Sequence, residues 1–186
     1  MISVGEITTR KGYDFLINSL ALMPMDKRPS FTIIANWVNP REQQYLEELA
    51  SNRRVEINIL NKLSTEELCR EYNAALLCIY APIQEPFGLV PLESMSCGTP
   101  VVGVAEGGVK ETVVDGLNGR LVERDPEIFA QAVMDLLQNP DLLSKYGRQA
   151  REYVIENWSW EKSVLRLESY LIEAANKLKL ITRSTS

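Results

Sequence analysis

Short apolar segments alternate with segments of helical character along the whole chain, and this alternation restricts the fold more than any other feature. Phe31–Ala35 and Val101–Val104 are nearly continuous apolar runs rich in β-branched residues. Such runs are typical of strands that are buried on both faces, as in parallel sheets. Strands of this kind that alternate with helices predict an α/β domain with a doubly wound, parallel sheet. The six predicted strands are Ile2–Val4, Phe31–Ala35, Val55–Leu60, Leu76–Tyr80, Val101–Val104 and Arg120–Val122.

Helix starts lie between these strands. Ser64 and Glu67 have the spacing of a capping box, and Asp125-Pro126 places an N-cap acid before a proline at the first helical position. The last helix is predicted to follow Trp158–Glu161 and to carry an apolar stripe, whereas Thr182–Ser186 are expected to be a disordered tail. The stripe consists of Val164, Leu167, Leu171, Ala175 and Leu178.

Composition excludes several classes of function. The net charge of the 186 residues is −5, and no lysine-arginine block is present, which argues against nucleic acid and anionic membranes as partners. The absence of histidine excludes a Ser-His-Asp triad, a histidine metal site and a histidine base from this chain. Three cysteines without a zinc-binding spacing, no signal peptide and no apolar run of about 18–20 residues favour a cytoplasmic location.

The segment from Glu85 to Pro100 has the strongest chemical character. In parallel sheets, ligands bind at the carboxyl ends of the strands, and this segment follows the fourth strand. Gly88 permits close approach of a ligand, and the helix that begins near Leu89 offers free amides to a phosphate. Glu85 and Glu93 could accept hydrogen bonds from sugar hydroxyls. Alternatively, Glu85 is a solvated loop acid and Glu93 stabilises its helix, and the spacing does not decide between the two interpretations.

Two further loops at the same edge could bind an anion. Arg10 and Lys11 are predicted at the start of the first helix, where cations oppose the helix dipole. A diphosphate would explain them, although a solvated surface pair is the simpler interpretation of these residues alone. Gly107-Gly108 could bring backbone amides to a ligand or form a tight turn. The chain contains no G-x-G-x-x-G, no Walker motif and no D-x-D, so neither a dinucleotide fingerprint nor a metal-clamped diphosphate is predicted.

Taken together, these motifs resemble family 4 of the glycosyltransferases. The segment from Glu85 to Val102 is similar to the family's E-x7-E region, and the resemblance covers nearly the whole chain. The other matching motifs, in the same order, are Gly5…Arg10-Lys11-Gly12, Gly107-Gly108…Glu111, Asp115–Gly119 and Ser159-Trp160-Glu161. The resemblance implies a GT-B fold, in which two Rossmann-like domains face a cleft. It also implies that residues 1–186 are the carboxyl-terminal, donor-binding domain and that the amino-terminal acceptor domain is absent from this chain.

The resemblance also implies roles for individual residues. Lys11 would contact the diphosphate of a nucleotide sugar, with Arg10 beside it, Glu93 would bind the ribose, and Glu85 would contact the transferred sugar. Lys11 and Glu85 are therefore the candidate catalytic residues. The remaining donor-binding candidates are Gly5, Lys62 and Leu63, of which the last two would hold the base through their backbone, and Phe87, Gly88, Leu89 and Val90 in the loop whose amides reach sugar and phosphates.

Two departures from the family pattern stand out. Glu6 occupies the position where the family usually has arginine, and an acid there opposes a diphosphate unless it turns away or pairs with Arg10. The family's glycine-rich turn after the second strand is replaced by Ala35–Asn39. The first departure bears on phosphate affinity, and the second bears on contacts with the base.

The resemblance implies a retaining, metal-independent transfer of a hexose without any cofactor, with UDP-glucose or a related UDP-sugar as donor. The pathway would be polysaccharide or glycolipid synthesis, and the isolated domain would bind donor but transfer poorly. Any peripheral membrane association would belong to the missing half. Two alternatives are a non-catalytic nucleotide-binding module, with Glu6 as its sign, and a GT-B epimerase or phosphorylase domain, which would need a histidine or a pyridoxal lysine.

Overall fold

A single sheet of six parallel strands forms the centre of the molecule in the computed structural model, which describes residues 1–184. The strand order is β3-β2-β1-β4-β5-β6, which is that of a doubly wound, Rossmann-like domain. The predicted fold class is therefore confirmed. The strands are β1 (Ile2–Val4), β2 (Phe31–Ala35), β3 (Ile57–Asn61), β4 (Cys78–Tyr80), β5 (Val101–Val104) and β6 (Gly119–Val122).

Helices connect the strands and follow the last of them. They are α1 (Tyr13–Ala21), α2 (Pro40–Arg53), α3 (Thr65–Ala74), α4 (Leu89–Ser96), α5 (Val109–Thr112), α6 (Pro126–Leu137), α7 (Pro140–Asn157) and α8 (Trp160–Ser184). Short 3₁₀ turns cover Thr9–Lys11 and Met25–Lys27. Helices α3, α4, α6 and α8 begin within two residues of their predicted starts, and a capping box or an N-cap acid followed by proline marks the starts of α3 and α6.

The caps explain these boundaries. The Glu67 amide donates to the Ser64 hydroxyl at 3.2 Å, and the Ser64 amide donates to the Glu67 carboxylate at 2.8 Å, so the predicted capping box is formed.

The third strand, β3, begins at Ile57, two residues later than the predicted start at Val55. The Val55 amide donates to the Ala50 carbonyl at 2.9 Å and thereby closes α2 instead of joining the sheet.

Both faces of the sheet are buried, as the continuous apolar runs predict. Ile33 belongs to a core formed with α1, α2 and α6, whereas its neighbour Ile34 belongs to a second core on the opposite face. The same alternation is seen at Val101 and Val102, which are fully buried in different cores. The sheet therefore leaves only its edges and strand ends for ligand chemistry.

Helix α8 extends away from both cores. Its principal neighbour is α7, and its large apolar side chains between residues 160 and 172 are exposed. The predicted disorder is wrong for residues 182–184, because the helix continues to Ser184, and extending a helix that has already formed costs little. Residues 185 and 186 lie outside the described part of the chain. The exposed side chains are Trp160, Val164, Leu165, Leu167, Tyr170, Leu171 and Ile172.

Candidate functional site

The crevice between the loops that follow β1 and β4 is the natural ligand site of this sheet. The strand order reverses between these two neighbouring strands, and their crossover helices lie on opposite faces, which leaves a gap at the carboxyl ends. One hydrogen bond already joins the two loops, from the Ile83 amide to the Arg10 carbonyl at 2.8 Å. The β1 and β4 loops therefore form one surface.

Lys11 and Glu85 meet across this crevice. The Lys11 ammonium lies 3.1 Å from the Glu85 carboxylate, and the two side chains are only 27% and 13% exposed. Gly5 leaves room for the Tyr13 hydroxyl, which donates to the Gly5 carbonyl at 2.9 Å and would lie 3.1 Å from a β-carbon at this position. Burial raises the pKa of Tyr80, and the neighbouring Glu85 carboxylate raises it further. The two candidate catalytic residues are thus paired in a partly desolvated position.

Arg10 and Lys11 directly precede the amino terminus of α1, as the sequence predicts. They end a 3₁₀ turn, Thr9–Lys11, that the sequence did not predict, and α1 begins after Gly12, which adopts a left-handed conformation with φ of 68°. Two cations therefore lie next to the positive end of the helix dipole. Glu85 offsets the charge of Lys11.

Gly107 and Gly108 allow two loops to touch. The Gly108 amide donates to the Glu85 carbonyl at 2.8 Å. A β-carbon on Gly107 would lie 2.3 Å from the Glu85 carbonyl oxygen, and one on Gly108 would lie 2.4 Å from the Phe87 α-carbon. The two glycines form a turn, which was one of the two sequence interpretations, and they also fix the position of the Glu85–Phe87 backbone.

Helix α4 presents an open amino terminus beside this loop. Gly88 precedes the helix with φ of 96°, and no side chain caps the first turn. Glu93 lies in the second turn and reaches solvent, and its carboxylate accepts a hydrogen bond from the Tyr72 hydroxyl at 3.2 Å. Partial burial raises the pKa of Glu93, and the bond from Tyr72 opposes this rise. The carboxylate is thus oriented by a buried tyrosine and retains free acceptor capacity.

Two cavities adjoin in the crevice and share Glu6 and Lys11. One, of 520 Å³, lies over the ends of β1 and β2, with Gly5, Asn36 and Leu63 in its wall. The other, of 270 Å³, lies between the β1 and β4 loops, and its wall includes Glu6, Arg10, Lys11, Gln84 and Glu85. The larger cavity has the size and lining for a nucleoside, and the smaller one has the charges for a polar group.

Lys62, Glu93 and the segment from Phe87 to Val90 are not in the walls of these two cavities. Lys62 is exposed in a left-handed conformation with φ of 55°, and its amide bonds to the Ala35 carbonyl at 3.3 Å. The Phe87 ring packs edge-to-face on Trp158 with ring centroids 5.4 Å apart. Leu89 is exposed and Val90 is half-buried, so the segment from Phe87 to Val90 can contribute to the crevice through its backbone.

The family comparison agrees with this geometry. The sequence pattern of the family described as glycosyl transferases group 1 matches residues 1–153. The chain belongs to this family. It is 32% identical, over 188 residues, to D-inositol 3-phosphate glycosyltransferase of Geodermatophilus obscurus, a match that covers 96% of this chain and 41% of the relative.

Solved structures of glycosyltransferases share the fold. Sucrose-phosphate synthase from Thermosynechococcus elongatus superposes with a TM-score of 0.82 at 27% identity, over 95% of this chain and 46% of that protein. The Anabaena protein HepE, solved in complex with UDP and glucose, superposes with a TM-score of 0.76 at 21% identity, over 94% of this chain and 48% of that protein. The chain thus spans somewhat less than half the length of the proteins it matches.

The charges of this group 1 glycosyltransferase crevice balance. Arg10 and Lys11 supply two cations, and Glu6 and Glu85 supply two anions, around the smaller cavity. Among the side chains that the structure describes, Glu6 and Arg10 form no ion pair. Glu6 therefore neither pairs with Arg10 nor leaves the crevice, which are the two arrangements that the sequence analysis considered.

Sequence reasoning missed the residues that support the site. Tyr72 belongs to no sequence motif. Its role is seen only in the folded chain, where its hydroxyl donates to the Glu93 carboxylate. Glu106 and Arg124 form a bidentate ion pair with N–O distances of 2.8 Å. The only signal for this pair was that Glu106 directly precedes Gly107-Gly108.

The described residues offer neither a metal-binding cluster nor a membrane-spanning helix. No group of three or more histidine, cysteine, aspartate or glutamate side chains among them could hold a metal ion. No helix in the same part of the chain is long and apolar enough to cross a membrane. Cys69, Cys78 and Cys97 are free thiols, and burial raises the pKa of Cys78 to about 12.

Proposed function

We propose that residues 1–186 form the donor-binding domain of a retaining, metal-independent glycosyltransferase that transfers a hexose from a UDP-sugar to an acceptor hydroxyl. The observation that carries this proposal is the convergence of Lys11, Glu85 and the α4 amino terminus at the switch point of the sheet. A nucleotide sugar needs a nucleoside cavity, donors for its diphosphate and acceptors for its sugar hydroxyls. The crevice offers each of these in adjoining positions.

UDP-glucose, or a close relative, is the proposed donor. HepE, which shares the fold, was solved with UDP and glucose, and the other two relatives described above are a glycosyltransferase and a synthase of a sugar phosphate. Glu93 would accept hydrogen bonds from the ribose hydroxyls, and the 520 Å³ cavity beside Leu63 would hold the base. Glu85 would accept hydrogen bonds from the transferred sugar.

Catalysis would rest on stabilisation of the leaving group. The bond between the sugar C1 and the diphosphate oxygen breaks, and negative charge grows on the departing diphosphate. Lys11, Arg10 and the free amides of α4 would offset this charge, which lowers the barrier more than it favours the bound donor. The acceptor hydroxyl would form the new bond on the same face of the sugar.

The proposed partner is an amino-terminal acceptor domain of the same enzyme, which would complete the active cleft. The chain covers 41–48% of the proteins described above, and the apolar face of α8 is exposed in the described structure. Large exposed apolar surfaces mark interaction sites. We place the complete enzyme in the cytoplasm, in polysaccharide or glycolipid synthesis, with any membrane association through the missing half.

Calorimetric titration of this chain tests the donor assignment. UDP-glucose, UDP-galactose, GDP-mannose and ADP-glucose are titrated in turn, and we expect UDP-glucose or UDP-galactose to bind most tightly. Lys11→Ala should weaken that binding by about tenfold or more, because it removes a charge-assisted bond to the diphosphate. Lys110→Ala, an exposed lysine of α5, is the matched control. Failure of all four donors to bind would refute the assignment.

A non-catalytic nucleotide-binding module is the second candidate, and Glu6 is the observation in its favour. Glu6 lines both cavities, and its charge brings the formal charge of the residues around the smaller cavity to zero. Glu6→Arg separates the two candidates. A gain in UDP-glucose affinity of about tenfold or more would indicate a degraded phosphate site, whereas unchanged or weaker binding would indicate that Glu6 belongs to a working site.

A further inference from the structure

Arg124 lies behind the crevice, in the turn between β6 and α6, and makes more polar contacts than any residue of the site itself. Its Nε and Nη2 atoms donate to the two oxygens of Glu106, each at 2.8 Å. Its Nη1 atom donates to the Ala81 carbonyl at 3.1 Å, and Nη2 also donates to the Pro82 carbonyl at 2.9 Å. The guanidinium stacks over the Phe15 ring, 5.2 Å from its centroid.

These contacts join the beginnings of two loops. Ala81 and Pro82 open the β4 loop, which carries Glu85, and Glu106 opens the β5 loop, which carries the two glycines. The same two loops meet again further on, where the Gly108 amide donates to the Glu85 carbonyl at 2.8 Å. The loops are therefore held together at two points, and the backbone of Glu85 forms the second of them.

The β1 loop is fastened to this assembly as well. The Ile83 amide, one residue after Pro82, donates to the Arg10 carbonyl at 2.8 Å. Gly12 packs so closely on Ala81 that a β-carbon on Gly12 would lie 2.0 Å from the Ala81 carbonyl oxygen. A shift of the Ala81-Pro82 backbone would thus move Arg10 and the end of the turn that carries Lys11.

From this arrangement we infer that Arg124 is a positioning residue of the donor site, which sets the separation of Lys11, Arg10 and Glu85 without touching the donor. Arg124 is not part of the wall of either cavity. The inference rests on the proposed function of the crevice. Bonds from Arg124 lower the pKa of Glu106, so the ion pair persists throughout the neutral range.

Arginine is required at this position because of its shape. Its planar guanidinium presents donors in a fixed fork that can serve a carboxylate and two carbonyls together. A lysine would keep the charge but could not make all four bonds from one ammonium group. Arg124→Lys is therefore the informative variant. Arg120→Lys is its matched control, because Arg120 lies on β6 and pairs with Asp115 at 3.1 Å away from the three loops.

Hydrogen exchange of the free chain provides the first test, and it needs no ligand. Arg124→Lys should speed exchange of the Ile83 and Gly108 amides by about tenfold, because both lie in the loops that Arg124 joins. Arg120→Lys should leave both amides unchanged. Equal exchange in wild type and Arg124→Lys would overturn the inference. So would a uniform increase across all six strands, since that would show Arg124 to be a general stabilising residue.

Calorimetry provides the second test. We expect Arg124→Lys to bind UDP-glucose about tenfold more weakly than the wild type and to bind uridine almost equally well, because uridine lacks the diphosphate and sugar. An equal loss for both ligands would overturn a positioning role. If the wild type does not bind UDP-glucose, the proposed function fails, and the exchange experiment still decides whether Arg124 holds the loops.

Discussion

At the scale of single residues, the crevice combines groups whose charges cancel with groups that are held in place by neutral partners. Lys11 and Glu85 neutralise each other at 3.1 Å, so a donor must share or replace that ion pair. Glu93 is different, because its partner is the buried hydroxyl of Tyr72. An anionic carboxylate bonded to a neutral group keeps its full acceptor strength for a ligand, at some cost to the free protein.

Glu93→Gln should therefore weaken donor binding and slightly stabilise the free chain. The amide can still accept the Tyr72 hydrogen bond, but it is a weaker acceptor for ribose hydroxyls than a carboxylate. We expect UDP-glucose affinity to fall by about tenfold and the melting temperature at pH 7.5 to rise by about 1–2 °C. Glu152→Gln, an exposed acid of α7, is the control for the loss of charge. Unchanged affinity would remove Glu93 from the donor site.

The pH dependence of this effect has a definite sign. The pKa of Glu93 is raised in the folded chain, chiefly by desolvation, so folding favours the protonated form. Protonated Glu93 therefore stabilises the folded chain at pH values below the pKa that Glu93 has in the unfolded chain. This stabilisation is lost as the pH rises through the pKa of Glu93 in the folded chain. The melting advantage of Glu93→Gln should accordingly vanish in acid and appear towards neutral pH. Melting curves of both proteins between about pH 4 and pH 8 check this, and an advantage that grows in acid would contradict it.

At the scale of elements, the sequence predicts the sheet well because its strands are buried on both faces. Phe31–Ala35 and Val101–Val104 have the bounds predicted from their apolar runs, and the Ser64 capping box forms as expected. The 3₁₀ turn at Thr9–Lys11 was missed, because its boundary depends on the left-handed Gly12 packing against Ala81. Contacts between loops that are distant in sequence leave no periodic signal.

The same distinction applies to the site. The edge of the sheet that carries Lys11, Glu85 and Glu93 follows from strand order, so it could be predicted from the alternation of elements. The partners of these residues could not, since Arg124 and Tyr72 reach the site only through tertiary packing. Motif positions are thus readable from sequence, whereas the contacts that hold them in place require the fold.

The β5 loop yields a prediction about Gly108. Its φ of −70° suits any residue, so Gly108→Ala adds no backbone strain and only a methyl group. That β-carbon would lie 2.4 Å from the Phe87 α-carbon, and the Glu85–Phe87 backbone must move to admit it. We expect UDP-glucose affinity to fall by about tenfold or more, as measured by calorimetry.

Gly116→Ala is the contrasting variant for this experiment. Gly116 has φ of 77° but open space around its α-carbon, since a β-carbon there would lie 4.0 Å from its nearest neighbour, the Tyr146 hydroxyl. This substitution should lower the melting temperature through backbone strain and leave donor affinity unchanged. If both variants bound donor like the wild type, the contact between the two loops would have no role in the site.

At the scale of the whole molecule, α8 differs from the other long helices. Leu167 and Leu171, which lie on the predicted apolar stripe of this helix, are about 60% exposed. Within the part of α8 whose side chains are described, few interactions hold the helix to the domain, among them Arg166 over the Trp158 ring at 5.7 Å. A helix that buries little of its apolar face against its own domain receives little stabilisation from that domain. The apolar stripe of α8 is therefore available to pack against another surface.

Removal of α8 should consequently leave the domain intact. A chain that ends at Ser159 retains both cores and every residue of the crevice. We expect its melting temperature to remain within about 3 °C of the complete chain and its UDP-glucose affinity to be unchanged. Sedimentation velocity should show less self-association, because the exposed stripe is gone. The double variant Leu167→Glu, Leu171→Glu should reproduce this decrease with α8 present, and a much lower melting temperature in the shortened chain would instead place α8 among the elements that stabilise the domain.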